Sequence, residues 1–124
     1  MIDSPVENSV VVTGIGSVCS LGATTEKLWQ RITSGTRGLR DLDLFDTSSH
    51  RTKLAGQVDD STRPQHFSHL ARAEQFGCTA TEAAIRNIPP ELLKSGRTGV
   101  FFGSSTGALF EGEQFLKGLL ESRE

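Results

Sequence analysis

No apolar run in this 124-residue sequence reaches the roughly 18 residues that a membrane-crossing helix requires. Nor does the N-terminus pair a basic stretch with an apolar one, the arrangement that marks a secretion signal. The chain is therefore expected to be cytoplasmic. Cysteine is scarce: Cys19 and Cys78 stand far apart, form no C-x-x-C pair, and are expected to be reduced thiols rather than a staple. Gly-Lys-Ser/Thr occurs nowhere, which excludes a Walker loop. An excess of charge of one sign is missing too. Thirteen basic side chains against fifteen acidic ones leave a net charge of -2, so nothing electrostatic favours nucleic acid or an anionic membrane. Apolar residues make up only 35%, low for a self-sufficient core and suited to a piece of a larger protein. The length would still allow one domain that buries about two-thirds of its unfolded surface.

What is present is organised around Ser9 to Ala23. The β-branched run Val10 to Thr13 predicts a buried strand, because such side chains fit a pleated backbone covered on both faces. Gly14, Gly16 and Gly22 then supply a turn where a Cβ would clash. Gly14 and Gly16 fit the start of a dinucleotide-binding G-x-G-x-x-G, but Cys19 holds the third glycine's place. No strand ending in Asp or Glu follows about 20 residues on, where a ribose would need it, so nucleotide binding is not expected. Met1 to Asn8, polar and containing Pro5, reads as a frayed, flexible lead-in.

A helix should follow, capped by Thr24 or Thr25, with Glu26 in its first turn and Leu28, Trp29 and Ile32 on one apolar side. It should stop near Ser34, since Gly35 suits the left-handed position after a helix. Residues 35–63 read as loop. Asp41, Asp43 and Asp46 do not make a calcium loop, because Phe45 and Asp46 stand where a ligand and a glycine are needed. Phe67 to Asn87 predicts a second helix, with Ala73, Phe76, Gly77, Ala80, Ala84 and Ile88 on one side and Pro89-Pro90 ending it. Cys78 lies beside that stripe as a buried structural thiol. His66 and His69 could share a face, yet no third ligand stands near, so no metal or cofactor is expected. Gly99 to Gly103 predicts a second buried strand. A third helix then carries Leu109, Leu116 and Leu120 on one stripe, with Phe115 and Leu119 beside it. No glycine or proline closes that helix before Glu124, so a truncation is expected.

Gly103-Ser-Ser-Thr-Gly107 matches G-x-S-x-G between a strand and a helix, which would make Ser105 a hydrolase nucleophile. Against this, the elbow fold places its histidine after the serine, the last histidine here is His69, and no HGGG-like segment precedes it.

Four blocks in register carry a resemblance: Val10 to Gly22 with Trp29 and Ser34 to Gly38, Phe45-Asp-Thr-Ser48, Lys53 to Val58, and Arg97 to Gly107. Together they resemble the opening of a β-ketoacyl-acyl-carrier-protein synthase, of the elongating, type II-like thiolase-like condensing enzymes. The likeness covers nearly the whole chain after Ser9. It departs at Ser20, where relatives often carry proline, at Ala23, where asparagine is common, and at Thr106, usually an apolar position.

The resemblance implies a thiolase-like α/β fold, represented by an incomplete N-terminal half over residues 9–124 that stops before the nucleophile. Leu54 to Val58 would then be one strand of a short hairpin. Decarboxylative Claisen condensation in fatty-acid or polyketide elongation is the implied activity, with acyl carrier protein and acyl and malonyl thioesters as partners. A homodimer, or association with the remainder of the synthase, is the implied setting. The family's cysteine nucleophile and two histidines lie beyond Glu124, so no catalytic residue is assigned here. Some relatives have lost that cysteine and serve as chain-length partners. One binding position carries over: Thr106 stands where an apolar side chain lines the acyl pocket. A hydroxyl is a poor wall for a long saturated chain, so short or polar acyl groups are expected.

Overall fold

The computed structural model describes residues 9–122, and the expected frayed lead-in lies outside the described residues. Helix α1 spans Thr25–Thr33. Thr24 caps it, its side-chain oxygen accepting the Lys27 N–H at 3.2 Å, and Glu26 sits in the first turn where the positive helix end favours a carboxylate. The helix ends at Ser34, and Gly35 takes φ 69°, a conformation open to glycine at little cost.

The loop that follows folds back as a hairpin of two very short strands, β1 (Arg40–Asp41) and β2 (Leu54–Ala55). They pair antiparallel with Arg40 opposite Ala55 and Asp41 opposite Leu54. The buried Gln57 holds the hairpin's far side, accepting the Asp43 N–H at 3.2 Å and donating to the Asp43 carboxylate.

Helix α2 covers Arg72–Ile85, shorter than the periodicity predicts. Phe67 belongs instead to a 3₁₀ turn, Gln65–Phe67, because Pro64 directs the chain into a turn before the helix can begin. Glu74 then reaches back to accept the Ala71 N–H at 3.0 Å, satisfying one donor at the helix start. Arg72 ties this end to the preceding loop through the Val58 carbonyl, at 3.0 Å, and the Asp60 carboxylate. Its guanidinium lies 5.1 Å from the centre of the Phe76 ring. Pro89 and Pro90 do not terminate α2, which has ended four residues before Pro89; Pro90 opens the short helix α3, Pro90–Leu93. Helix α4 runs Leu109–Glu121, as the leucine spacing predicts.

The two predicted buried strands are not found. Val10 to Thr13 and Gly99 to Gly103 belong to no ladder, and they are open to solvent: Val10 is 99% exposed and Phe101 98%. An apolar run becomes a buried strand only when neighbouring strands take its backbone hydrogen bonds and a further layer covers its side chains. The β1–β2 hairpin is the only multi-residue ladder among the described residues, and it lies elsewhere. The glycine turn that follows the first segment, and Phe102 of the second, nevertheless lie against α2. A Cβ at Gly14 would overlap the Ala84 carbonyl oxygen, one at Gly16 that of Ala80, and one at Gly77 would lie 2.5 Å from the Phe102 ring. Small residues on α2 thus serve the close packing that the stripe predicts.

Among the described residues no hydrophobic side chain is buried, and the two buried residues are Gln57 and Gln75. The chain exposes 10750 Å². A folded monomer of 13.4 kDa would expose about 6,500 Å². Instead of the expected two-thirds, the chain hides somewhat less than half of its unfolded surface, about 19,000 Å².

Candidate functional site

Thr106 occupies a tight turn at the start of α4. The Gly107 N–H donates to the Ser104 hydroxyl at 2.9 Å, and Gly107 takes φ 53°, so the turn needs glycine there. The turn places Thr106 on an open groove of about 470 Å³ between the first turns of α2 and α4. Ala73 and Phe76 from α2 and Leu109 and Phe110 from α4 form its apolar lining. Arg72, its guanidinium already engaged by Asp60 and Val58, also lines it, as do Glu111 and Glu113. Such a lining accepts an apolar chain by exclusion of water and offers few directed hydrogen bonds. Phe76 was legible as part of the α2 stripe, whereas Phe110 gave no signal, since its place on the groove depends on where α4 lies relative to α2.

No nucleophile with a base lines this groove. Ser105 has no hydrogen bond to a histidine among the described residues: His50 contacts Ser49, and His66 meets Glu82 at 3.2 Å. Residues 99–103 form no strand, so the strand-to-helix elbow that a serine hydrolase needs is missing as well. Cys19 and Cys78 are free thiols; Cys78 is half-buried rather than buried, and neither lines the groove. His66 and His69 are both exposed, and among the described residues no three His, Cys, Asp or Glu side chains converge to hold a metal. Asp43 is taken up by Gln57, and Asp46 accepts both the N–H and the hydroxyl of Ser48 at 2.9 Å.

Among the described residues, the carboxylates held below their ordinary range are Glu26, Asp46 and Asp59. Backbone N–H donors are the main cause in each: Glu26's own, Ser48's on Asp46 and Ser61's on Asp59. All three are turn or cap carboxylates, away from the groove. Gly14 and Gly16 do not cradle a phosphate. They face the carbonyl oxygens of Ala84 and Ala80, partial negative charges that repel an anion, and α1 begins only at Thr25.

A family model for the N-terminal domain of β-ketoacyl synthases matches residues 7–122. This chain belongs to the β-ketoacyl synthase family. It is 31% identical over 108 residues to the tetracenomycin polyketide synthase ketoacyl synthase alpha subunit of Streptomyces glaucescens, covering 82% of this chain and 25% of that protein. To 3-oxoacyl-[acyl-carrier-protein] synthase 2 of Vibrio cholerae it is 31% identical over 107 residues, covering 81% of this chain and 26% of that protein. To the protein of the same description in Synechocystis it is 28% identical, with 81% and 26% covered. The chain thus spans about a quarter of the length of the curated relatives it matches. Membership implies a thiolase-like α/β fold, of which the described residues hold four helices and one short hairpin. No helix among the described residues is long and apolar enough to cross a membrane.

Proposed function

We propose that this chain forms the N-terminal portion of a 3-oxoacyl-[acyl-carrier-protein] synthase that extends acyl chains in fatty-acid or polyketide elongation. The family match over residues 7–122 carries this reading. In the proposed reaction, loss of CO₂ from malonyl-carrier protein leaves a carbanion that attacks an enzyme-bound acyl thioester. A carbon–carbon bond forms as the carbon–sulfur bond breaks. The thiolate and the donors that stabilise the oxyanion belong to segments beyond Glu124. This chain contributes scaffold and pocket wall, and by itself is inactive. Acyl carrier protein and thioesters are its proposed partners, a homodimer its setting and the cytoplasm its compartment; no metal, cofactor, nucleic acid or membrane enters the proposed reaction. A chain-length partner lacking the cysteine is the second reading in this family, and the residue at the nucleophile position separates the two.

The test is condensation of acyl and malonyl thioesters on carrier protein, assayed with the isolated chain and with the full polypeptide. Activity confined to the latter, and lost when its downstream cysteine becomes alanine, is expected. Activity of the isolated chain, abolished by Cys19→Ser or Cys78→Ser, would overturn the assignment.

Thr106 is the proposed wall of the acyl pocket, where its hydroxyl penalises a long saturated chain. Thr106→Ile in the full synthase should raise kcat/KM for long over short acyl substrates about tenfold, the worth of a well-filled or ill-filled methylene site. An unchanged ratio, or a parent enzyme that already prefers long chains, removes Thr106 from the pocket.

A further inference from the structure

We propose that an arginine-lined cavity beside the β1–β2 hairpin binds a phosphoryl group, as the free ion or on a small ester. The cavity, about 280 Å³, shares no residue with the acyl groove. Arg31 enters it from the last turn of α1, Arg37 from the loop that follows and Arg40 from β1. Asp59 is the one carboxylate in the lining among the described residues, so three positive charges face one negative. A second cavity of about 230 Å³ shares Ser20, Arg31 and Asp59 with the first and adds Lys27 without a further acid. This concentration of cations stands in a chain whose net charge is -2.

The chain's own groups leave much of that charge unspent. Arg31 has a structural use: it donates to the Leu21 carbonyl at 2.8 Å, and a cation suits the negative end of a helix. Arg37 and Arg40 have none, since neither makes an ion pair or a side-chain hydrogen bond among the described residues. The neighbouring Asp60 is taken by Arg63 and Arg72. Asp59 accepts the Ser61 N–H at 2.9 Å, and Ser61 is the main cause of its lowered pKa, with the Arg40 charge the smallest. Gln57, also in the lining, spends its amide on Asp43. The Gly38 and Leu39 N–H groups, on the same lining, have no acceptor among the described residues.

These donors select the ligand. A guanidinium presents a planar fork of N–H groups that matches an oxyanion, and arginine is the side chain best suited to phosphate. A phosphoryl group carries about 1.5 to 2 negative charges near neutral pH, whereas a carboxylate brings only one. The cavity falls just below the roughly 300–1,000 Å³ of pockets for drug-sized ligands, so it suits a single charged group with a small substituent.

The test titrates the full polypeptide that carries this sequence with inorganic phosphate, with glycerol phosphate and with acetate, by calorimetry in low salt. Phosphate binding that weakens about tenfold or more in Arg37→Gln with Arg40→Gln supports the proposal. Arg51→Gln, at an exposed arginine outside both cavities, should leave it unchanged. Arg37→Lys with Arg40→Lys keeps the charge and loses the fork, so its affinity should fall between parent and glutamine variant. Tighter binding of the ester assigns the site to an organic phosphate, and equal binding assigns it to the ion itself. Absence of phosphate binding, acetate binding as tight as phosphate, or equal losses in the double variant and Arg51→Gln would each overturn the proposal. Arg37 and Arg40 are exposed, so the variants should keep the parent's thermal midpoint. A large fall in that midpoint would show the arginines to be structural and would overturn the proposal as well.

Discussion

At Gly16 the decisive atom is the one the residue lacks. A Cβ there would overlap the Ala80 carbonyl oxygen, and backbone in the middle of α2 cannot step aside as a side chain can. Gly16→Ala should therefore cost about 1–3 kcal/mol through overpacking, read as a fall in the thermal midpoint. Gly103→Ala, where a Cβ would meet nothing within 4 Å, is the control, expected within about 0.5 kcal/mol of the parent. Equal effects of the two would sink the packing account. Asp46 supports a pH prediction at the same scale. Hydrogen bonds from the Ser48 N–H and hydroxyl favour its charged form and lower its pKa from 3.8. A depressed carboxyl pKa stabilises the fold above the unfolded value, and that contribution is lost as pH falls below 3.8 through the folded value. Ser48→Ala removes the hydroxyl and keeps the N–H, so the Asp46 carboxyl titration, followed by carbon NMR, should move part of the way back up. A midpoint that stays put would mean that the hydroxyl does not matter.

Among the elements, α1 shows what a sequence can specify alone. Its cap, first-turn carboxylate and closing glycine all act within three residues of the helix ends, so Glu26 and Gly35 could be placed, and the cap narrowed to Thr24 or Thr25, without tertiary knowledge; the structure selects Thr24. Thr24→Ala should cost about 1 kcal/mol and speed hydrogen exchange at the Lys27 amide, with Thr24→Ser restoring most of the protection. Unchanged exchange would mean that the cap contributes nothing. The strands show the opposite case. Val10 to Thr13 has every local mark of a strand, but a ladder is made by a partner, and none of the described residues supplies one. The glycines were legible as sites that tolerate no Cβ; the obstruction was not, because Ala80 and Ala84 lie far along the chain. The early end of α2's predicted reach has a local cause, the turn set by Pro64, which a stripe of apolar residues conceals. The site follows the same division. Thr106 was singled out only through the resemblance of its block to that of the condensing enzymes, whereas Phe110, which also lines the groove, carried no mark in the sequence.

On the scale of the whole molecule, the exposed area sets how the chain should unfold. The denaturant slope follows the surface newly exposed on unfolding, not the length of the chain. A compact chain of this mass would expose about 13,000 Å² on unfolding, whereas this one has only about 9,000 Å² left to expose. The isolated chain should therefore unfold in urea with a slope about two-thirds of that of a compact domain of equal length, over a broad transition. Helical signal should also decay without a sharp loss of tertiary signal, because no buried apolar cluster couples α1, α2 and α4 to one another. Within a full synthase of the kind proposed above, the same residues should contribute a full slope, since Val10 to Val12 and Val100 to Phe102 would there pass from water to a covered sheet. Measuring urea slopes for the isolated chain and for that synthase decides the matter. A slope for the isolated chain equal to the compact value would mean that these segments are already buried within it.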